Sequence, residues 1–173
     1  MIRTIGIVFC LLFAGSSVLL ASPEDRLEAL GIDLPEVSPS IANYVSVVKT
    51  GNLLFLSGHL PRNDEGSVIT GKLGRDLTVE DGYLAARQAG IALLATLKAE
   101  LGELDRIIRV VKVFGMVNAD PDFKDHSKVI NGCSDLFGDV FGEPGRHARA
   151  ASGFSSLPLG AAVEIELIVD VRN

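Results

Sequence analysis

Apolar positions along this chain fall into runs of three kinds. The first is continuous. Ile5 to Leu20 carries no charged residue, behind the short basic start Met1-Ile2-Arg3-Thr4 and ahead of Ala21-Ser22 and the charged Pro23-Glu24-Asp25-Arg26. A basic start, an apolar stretch and small residues in that order make an export signal. A membrane-spanning helix needs roughly 20 apolar residues, more than this run supplies. Residues 1–21 are therefore expected to be a signal peptide, with a retained anchor and a misassigned start codon as the rivals. The mature protein would then be exported, periplasmic or secreted, and free of the membrane; it would be cytoplasmic if the N-terminus is misassigned.

The second kind of run alternates or is rich in β-branched residues. Tyr44–Lys49 and Leu53–Ser57, separated by Thr50-Gly51-Asn52, predict an antiparallel hairpin. Ile107–Val117 predicts a central strand. Ala162–Val171 predicts a last one, in which Val163, Ile165, Leu167, Val169 and Val171 alternate with Glu164, Glu166, Ile168 and Asp170. The third kind has helical spacing. Thr78 can cap a helix with Glu80 and Asp81 in its first turn and Leu84, Ile91, Leu94 and Leu101 on one stripe, closed by Gly102. Asp122–Phe141 suits a second helix, with Phe123, Ile130, Phe137 and Phe141 near one face, although Gly132 and Gly138 weaken it. A short helix at Glu24–Leu30 is stopped by Gly31 and Pro35, and the polar, glycine-rich Pro61–Leu77 reads as a long surface loop. After a turn at Glu143-Pro144-Gly145 comes Ala148–Ser155, and Leu157-Pro158-Leu159-Gly160 turns into the last strand. The predicted order is β-β-α-β-α-β, an α+β fold with one sheet covered on one face by two helices. The expected division is a signal at 1–21, an N-terminal helix and linker at 22–40 and one domain at 41–173.

Composition narrows the chemistry. The chain has 173 residues, 16 Lys+Arg against 22 Asp+Glu, and two cysteines. A formal charge of -6 disfavours gripping a polyanionic backbone, so no nucleic-acid partner is expected. Cleavage after Ala21 would remove Arg3 and Cys10 and make the mature domain more acidic still. Two cysteines make neither a disulfide scaffold nor a four-thiolate zinc site, and Cys133 reads as a buried small hydrophobe. His59, His126 and His147 lack ligand spacing, so no metal is expected. Ser57-Gly58-His59 lacks a nucleophile elbow, and Gly71-Lys72-Leu73-Gly74 is too short for a phosphate loop. In the last strand, period two sends Glu164 and Glu166 to the face opposite the apolar set, which must be solvated or belong to an interface or cleft.

His147-Ala148-Arg149-Ala150, then Leu157-Pro158, then Val163-Glu164-Ile165-Glu166 resembles the C-terminal signature of the RidA/YjgF (reactive intermediate deaminase) family. Asn43-Tyr44-Val45 with Thr50-Gly51-Asn52, Ser57-Gly58-His59-Leu60-Pro61, and Val129-Ile130-Asn131 match in the same order, so the resemblance runs from about Ser40 to Val171. It implies a chorismate-mutase-like fold, a homotrimer with a ligand cleft at each subunit boundary, and cofactor-free hydrolysis of enamine or imine intermediates such as 2-aminoacrylate to a 2-keto acid and ammonia. Arg149 matches the family arginine that holds the substrate carboxylate, and Glu164 the glutamate that serves the attacking water. Tyr44 and Asn131 match cleft-lining positions, and Gly58 and Ala151 positions whose backbone meets the substrate. The sequence departs from the pattern at His59, where many members have Gln, and at Ala151, where the best-known have Cys. Two other functions stay open: a non-catalytic binder of small carboxylates on the same fold, and the endoribonuclease activity with which some members are labelled.

Overall fold

Gly51 makes the predicted hairpin. In the computed structural model, which describes residues 21–37 and 43–172, strand β1 (Val47–Thr50) pairs antiparallel with β2 (Leu53–His59). Gly51 sits between them at φ +57, a left-handed conformation that costs glycine nothing. The ladder begins later than Tyr44. The pairing of β1 with β2 ends at Val47 opposite Leu56, just before a bulge shifts the register of β2 against β5, and Tyr44 lies outside the strand, 53% exposed. The expected signal peptide lies outside the described residues apart from Ala21, as does the end of the linker beyond Val37.

β2 next pairs antiparallel with β5 (Val163–Val171), and β5 with β3 (Ile107–Asn118). One further strand corrects the predicted order. β4 (Ala148–Phe154) runs parallel to β3, so the sheet has five strands in the order β1-β2-β5-β3-β4. Its Ala-Arg-Ala-Ala-Ser-Gly-Phe sequence carries no apolar alternation because it is an edge strand with little to bury on either face.

Three helices cover one face. α1 (Pro23–Ala29) is capped by Ser22 and Asp25, buries Leu27 in the core, and places Glu24 Oε1 2.6 Å from Lys98 Nζ and 2.8 Å from the amide of Leu104. α2 (Val79–Leu101) has the expected Thr78 cap, with Asp81 completing a reciprocal box, and ends at Gly102 with φ +79. Its buried face takes in Leu94 and Leu101 of the expected stripe but not Leu84. Leu84 is 51% exposed, whereas Ala85, Ala86, Ala89, Leu93, Leu94 and Leu97 are wholly buried. The cause is α3 (His126–Phe141), which packs so close that a Cβ at Gly132 would overlap the Tyr83 carbonyl oxygen of α2, and one at Gly90 would lie 2.9 Å from Leu136. Small residues permit that approach. Gly132, which weakened the helix on propensity, is therefore required by its packing. α3 starts at His126 rather than Asp122, and Phe123 lies ahead of it with its ring against His126.

The segment 61–77 is more than a surface loop. Leu73 is fully buried in the main core, and backbone bridges tie Arg62 to Val68, Thr70 to Ala161 and Leu73 to Ala119. Lys72 Nζ donates to Asn118 Oδ1, Ala119 O and Ser155 O, at 2.8, 3.3 and 2.6 Å, which clamps the segment to the ends of β3 and β4. The polar turns are thus strung around one buried leucine, which gives them a fixed place on the domain.

The β5 alternation is realised as predicted. Val163, Ile165, Leu167, Val169 and Val171 are at most 1% exposed and face the helices. Glu164 and Glu166 face the other way, onto a sheet surface that no helix covers among the described residues.

Candidate functional site

Arg149 lies on β4 opposite Val113 of β3, a fully buried core residue, so its side chain leaves the sheet on the helix side. There it meets α3. Arg149 Nη1 donates to Asn131 Oδ1 at 2.8 Å and to Ser134 Oγ at 3.0 Å. Asn131 and Ser134 are three residues apart on the helix, which stacks them on one face. Both protons of Nη1 are thereby occupied. Among the described residues, none accepts from Nε or Nη2, and the guanidinium remains exposed on that edge. Nε and Nη2 form the side-on fork that meets a planar carboxylate in two parallel hydrogen bonds.

Behind Ser134 stands His147, with Nε2 3.1 Å from Ser134 Oγ and Nδ1 2.6 Å from the Gly145 carbonyl oxygen. The carbonyl can only accept, so Nδ1 carries the proton and Nε2 accepts from the serine hydroxyl. Burial is the main reason that His147 is held below the ordinary histidine range; the Gly145 carbonyl opposes it, and the Arg149 charge adds to the lowering. These groups edge an open cleft of about 600 Å³ lined by Ser134, Asp135, Gly138, Arg146, His147 and Arg149. Neither Ser134 nor the role of His147 was read from the sequence. The three-residue spacing of Asn131 and Ser134 was the available signal.

Glu164 occupies the other face. β5 lies two strands from β4, a span of about 10 Å at the usual strand spacing. Its carboxylate lies over Gly58, where the β2 bulge brings a backbone with no side chain: a Cβ on Gly58 would collide with Glu164 Oε1. Half-burial, with the negative charge of Glu166 second, raises the Glu164 carboxyl above the ordinary glutamate range. Tyr44 and Gly58 line a larger hollow of about 850 Å³ with His59, Arg62, Arg87 and Ile91. That hollow is the bigger one, but its arginines are engaged: Arg62 Nη1 donates to Gly66 O, and Arg87 lies 3.8 Å from Asp139. His59, also below the ordinary range through burial, is fixed between Ser57 O and Thr96 Oγ1, at 2.8 Å from each.

The six residues singled out in the sequence thus fall into two groups. Arg149, Asn131 and Ala151 share the β4–α3 side, where Ala151 packs against the core. Tyr44, Gly58 and Glu164 gather around the β2 bulge, Glu164 on the open face and Tyr44 in the hollow beside α2, with Gly58 common to both. Within one chain the two groups do not meet.

A match to the family described as "YjgF/chorismate-mutase-like, putative endoribonuclease" extends over residues 24–171. The chain belongs to that YjgF/chorismate-mutase-like family. It is 49% identical over 149 residues to Protein TCP17 of Trypanosoma cruzi, which covers 86% of this chain and 93% of that protein. The solved structure of a "putative endoribonuclease" from Shewanella oneidensis MR-1 superposes with a TM-score of 0.84 at 36% identity, covering 87% of this chain and all of the other. RidA from an Antarctic Psychrobacter superposes with a TM-score of 0.55 at 28% identity, covering 78% and 94%. The YjgF-like fold accounts for the five-stranded sheet and the helical layer, and the match takes in α1, which lies ahead of the boundary at residue 41 expected for the domain.

Among the described residues, no group of three or more His, Cys, Asp or Glu is arranged to hold a metal ion. Cys133 is fully buried, and burial pushes its thiol far above the ordinary range, so it is no nucleophile.

Proposed function

We propose that this YjgF-like chain assembles as a homotrimer whose clefts join the Arg149 group of one subunit to the Glu164 group of the next, and that each cleft hydrolyses a small enamine or imine carrying a carboxylate. The observation that carries the reading is the unoccupied Nε/Nη2 edge of a guanidinium already braced on Nη1. Such an edge is built to take a carboxylate. The open face supports the assembly: Val48, Phe55, Phe114 and Ile168 sit there beside the carboxylates, and Phe55 is 40% exposed, an apolar composition unlike that of a solvated sheet face.

In this reading Arg149 fixes the carboxylate of 2-aminoacrylate. The enamine takes a proton at its methylene carbon and gives one up from its nitrogen, and becomes the imine. Glu164 then removes a proton from water as the oxygen bonds to the imine carbon, and returns it to the nitrogen, which leaves a carbon bearing one hydroxyl and one amino group. The hydroxyl proton passes to the amino nitrogen as the carbon–nitrogen bond breaks, and a 2-keto acid and ammonia leave. Redox balance is kept throughout, with no cofactor. A carboxyl raised by burial is a stronger base, better matched to this transfer near neutral pH.

The test generates 2-aminoacrylate in situ with a serine dehydratase and follows 2-keto acid release. Wild type should accelerate release, and Arg149→Ala and Glu164→Ala should each lower the acceleration about 100-fold or more. No acceleration by wild type, together with a melting temperature raised by a 2-keto acid, would replace catalysis with carboxylate binding alone. The RNA cleavage named for the Shewanella relative sits poorly with a formal charge of -6.

A further inference from the structure

We propose that Ser134 and His147 are positioning residues that hold the Arg149 guanidinium by its Nη1 corner, so that only its Nε/Nη2 edge is offered and the cleft selects ligands with a carboxylate that can be approached side-on. The proposal rests on the carboxylate reading of Arg149 and adds to it the device that aims the fork. Its geometry is a chain of three hydrogen bonds with a single consistent direction. Nδ1–H of His147 donates to Gly145 O, the Ser134 hydroxyl donates to Nε2 of His147, and the free lone pairs of Ser134 Oγ accept from Arg149 Nη1. Asn131 Oδ1 takes the other Nη1 proton. Each acceptor in this chain is used by the donor it suits, and the serine proton has one direction in which to point.

The far end of the chain is fixed to backbone. Gly145 is buried in the tight turn after α3, where a Cβ would overlap the Phe137 carbonyl oxygen, so the carbonyl that orients His147 belongs to closely packed backbone. The His147 ring is held further by its edge-on contact with Phe137, with centroids 6.0 Å apart. An exposed arginine ordinarily loses side-chain entropy when it binds. Here that ordering precedes the ligand.

Two measurements test the proposal on the full chain. The first needs no ligand: NMR of the arginine side chains, with the Arg149 signals assigned by their loss in Arg149→Lys. Wild type should show resolved Nη1 protons, Ser134→Ala and His147→Ala should lose them, and Ser134→Thr and His147→Gln, which keep a hydroxyl and an acceptor in place, should restore them. The second is calorimetric titration with 2-oxobutyrate. The two alanine variants should weaken binding about tenfold, and the two conservative variants should stay within about threefold of wild type, with unchanged melting temperatures throughout. Resolved Nη1 protons in both alanine variants, or wild-type affinity in both, overturn the positioning role. If wild type binds no 2-oxobutyrate, the carboxylate reading fails, and the NMR comparison alone decides whether Ser134 and His147 hold Arg149.

Discussion

Two glycines mark the contrast between the two sides of the sheet. Gly132, on the covered side, stands where α3 crosses α2, and a Cβ there would run into the backbone carbonyl of Tyr83. Gly58, on the open side, stands where β2 bulges, and a Cβ there would run into the flexible side chain of Glu164. Both positions are closed to a methyl group, but only one neighbour can move. The covered side is thus a packing problem, solved by small residues between rigid elements. On the open side the same economy leaves a carboxylate lying over bare backbone.

The largest effect should come from breaking the covered side. Gly132→Ala should cost about 3 kcal/mol, or roughly 10 °C in melting temperature, because neither helix backbone can yield without unpacking the other. Gly138→Ala is the control. It lies in the same helix with nothing within 4 Å of its added Cβ, and should be neutral or stabilising by up to about 1 kcal/mol. Calorimetric melting of both variants checks the pair, and a Gly132→Ala protein as stable as wild type would mean the helices are not held at this distance.

Gly58→Ala should invert that outcome. The Glu164 side chain can swing aside, so melting should stay within about 3 °C of wild type. Activity toward 2-aminoacrylate should fall about tenfold or more as the carboxylate leaves its place. A variant that keeps full activity would separate the Gly58–Glu164 contact from the chemistry.

How much of this contrast is legible in the sequence depends on which link is asked for. The β5 alternation and the Thr78-Asp81 cap are local, periodic signals, and the structure follows them. Leu84 is exposed although it lies on the apolar stripe, because the buried face of α2 turns on small residues: Ala85, Ala86 and Ala89 are buried with Leu93, Leu94 and Leu97, and Gly90 meets Leu136 and Cys133 of α3. The separation of Arg149 from Glu164 could not be read at all. It depends on the register of β4 against β3 and β3 against β5, which fixes the face that each side chain takes and is set by the whole sheet. Alternation within β5 tells which residues share a face, but not which face β4 shares with it.

His59 offers a smaller test on the covered side. Burial holds its pKa below the ordinary 6.5, so the folded protein resists protonating it. The unfolded chain binds the proton more readily, and the stability that neutral His59 supports above pH 6.5 is lost as pH falls toward the depressed folded value. His59→Gln keeps a partner for Thr96 and has no such proton to take up. Its melting temperature should therefore fall less on acidification, by about 3 °C at pH 5, with little difference at pH 8. Parallel curves for the two proteins would mean that His59 does not titrate on unfolding.

Glu164 should show the opposite sign and the smallest effect. Its folded pKa is raised by half-burial and by Glu166, so folding disfavours the ionised form. The stability it supports is complete below the ordinary carboxyl value of 4.5 and declines as pH rises through the raised folded value. Glu164→Gln removes that decline while keeping the shape over Gly58. The variant should melt higher than wild type by about 1 °C at pH 7, a gain kept small by solvent screening of a half-exposed group, and the gain should vanish near pH 4. The same variant should be inactive toward 2-aminoacrylate, so a group that works against the stability of the subunit would be one on which its chemistry depends. A Glu164→Gln protein less stable than wild type at pH 7 would mean that the carboxylate has a favourable charged partner in the assembled protein, and would move Glu164 from the chemistry of the cleft to the bonding between subunits.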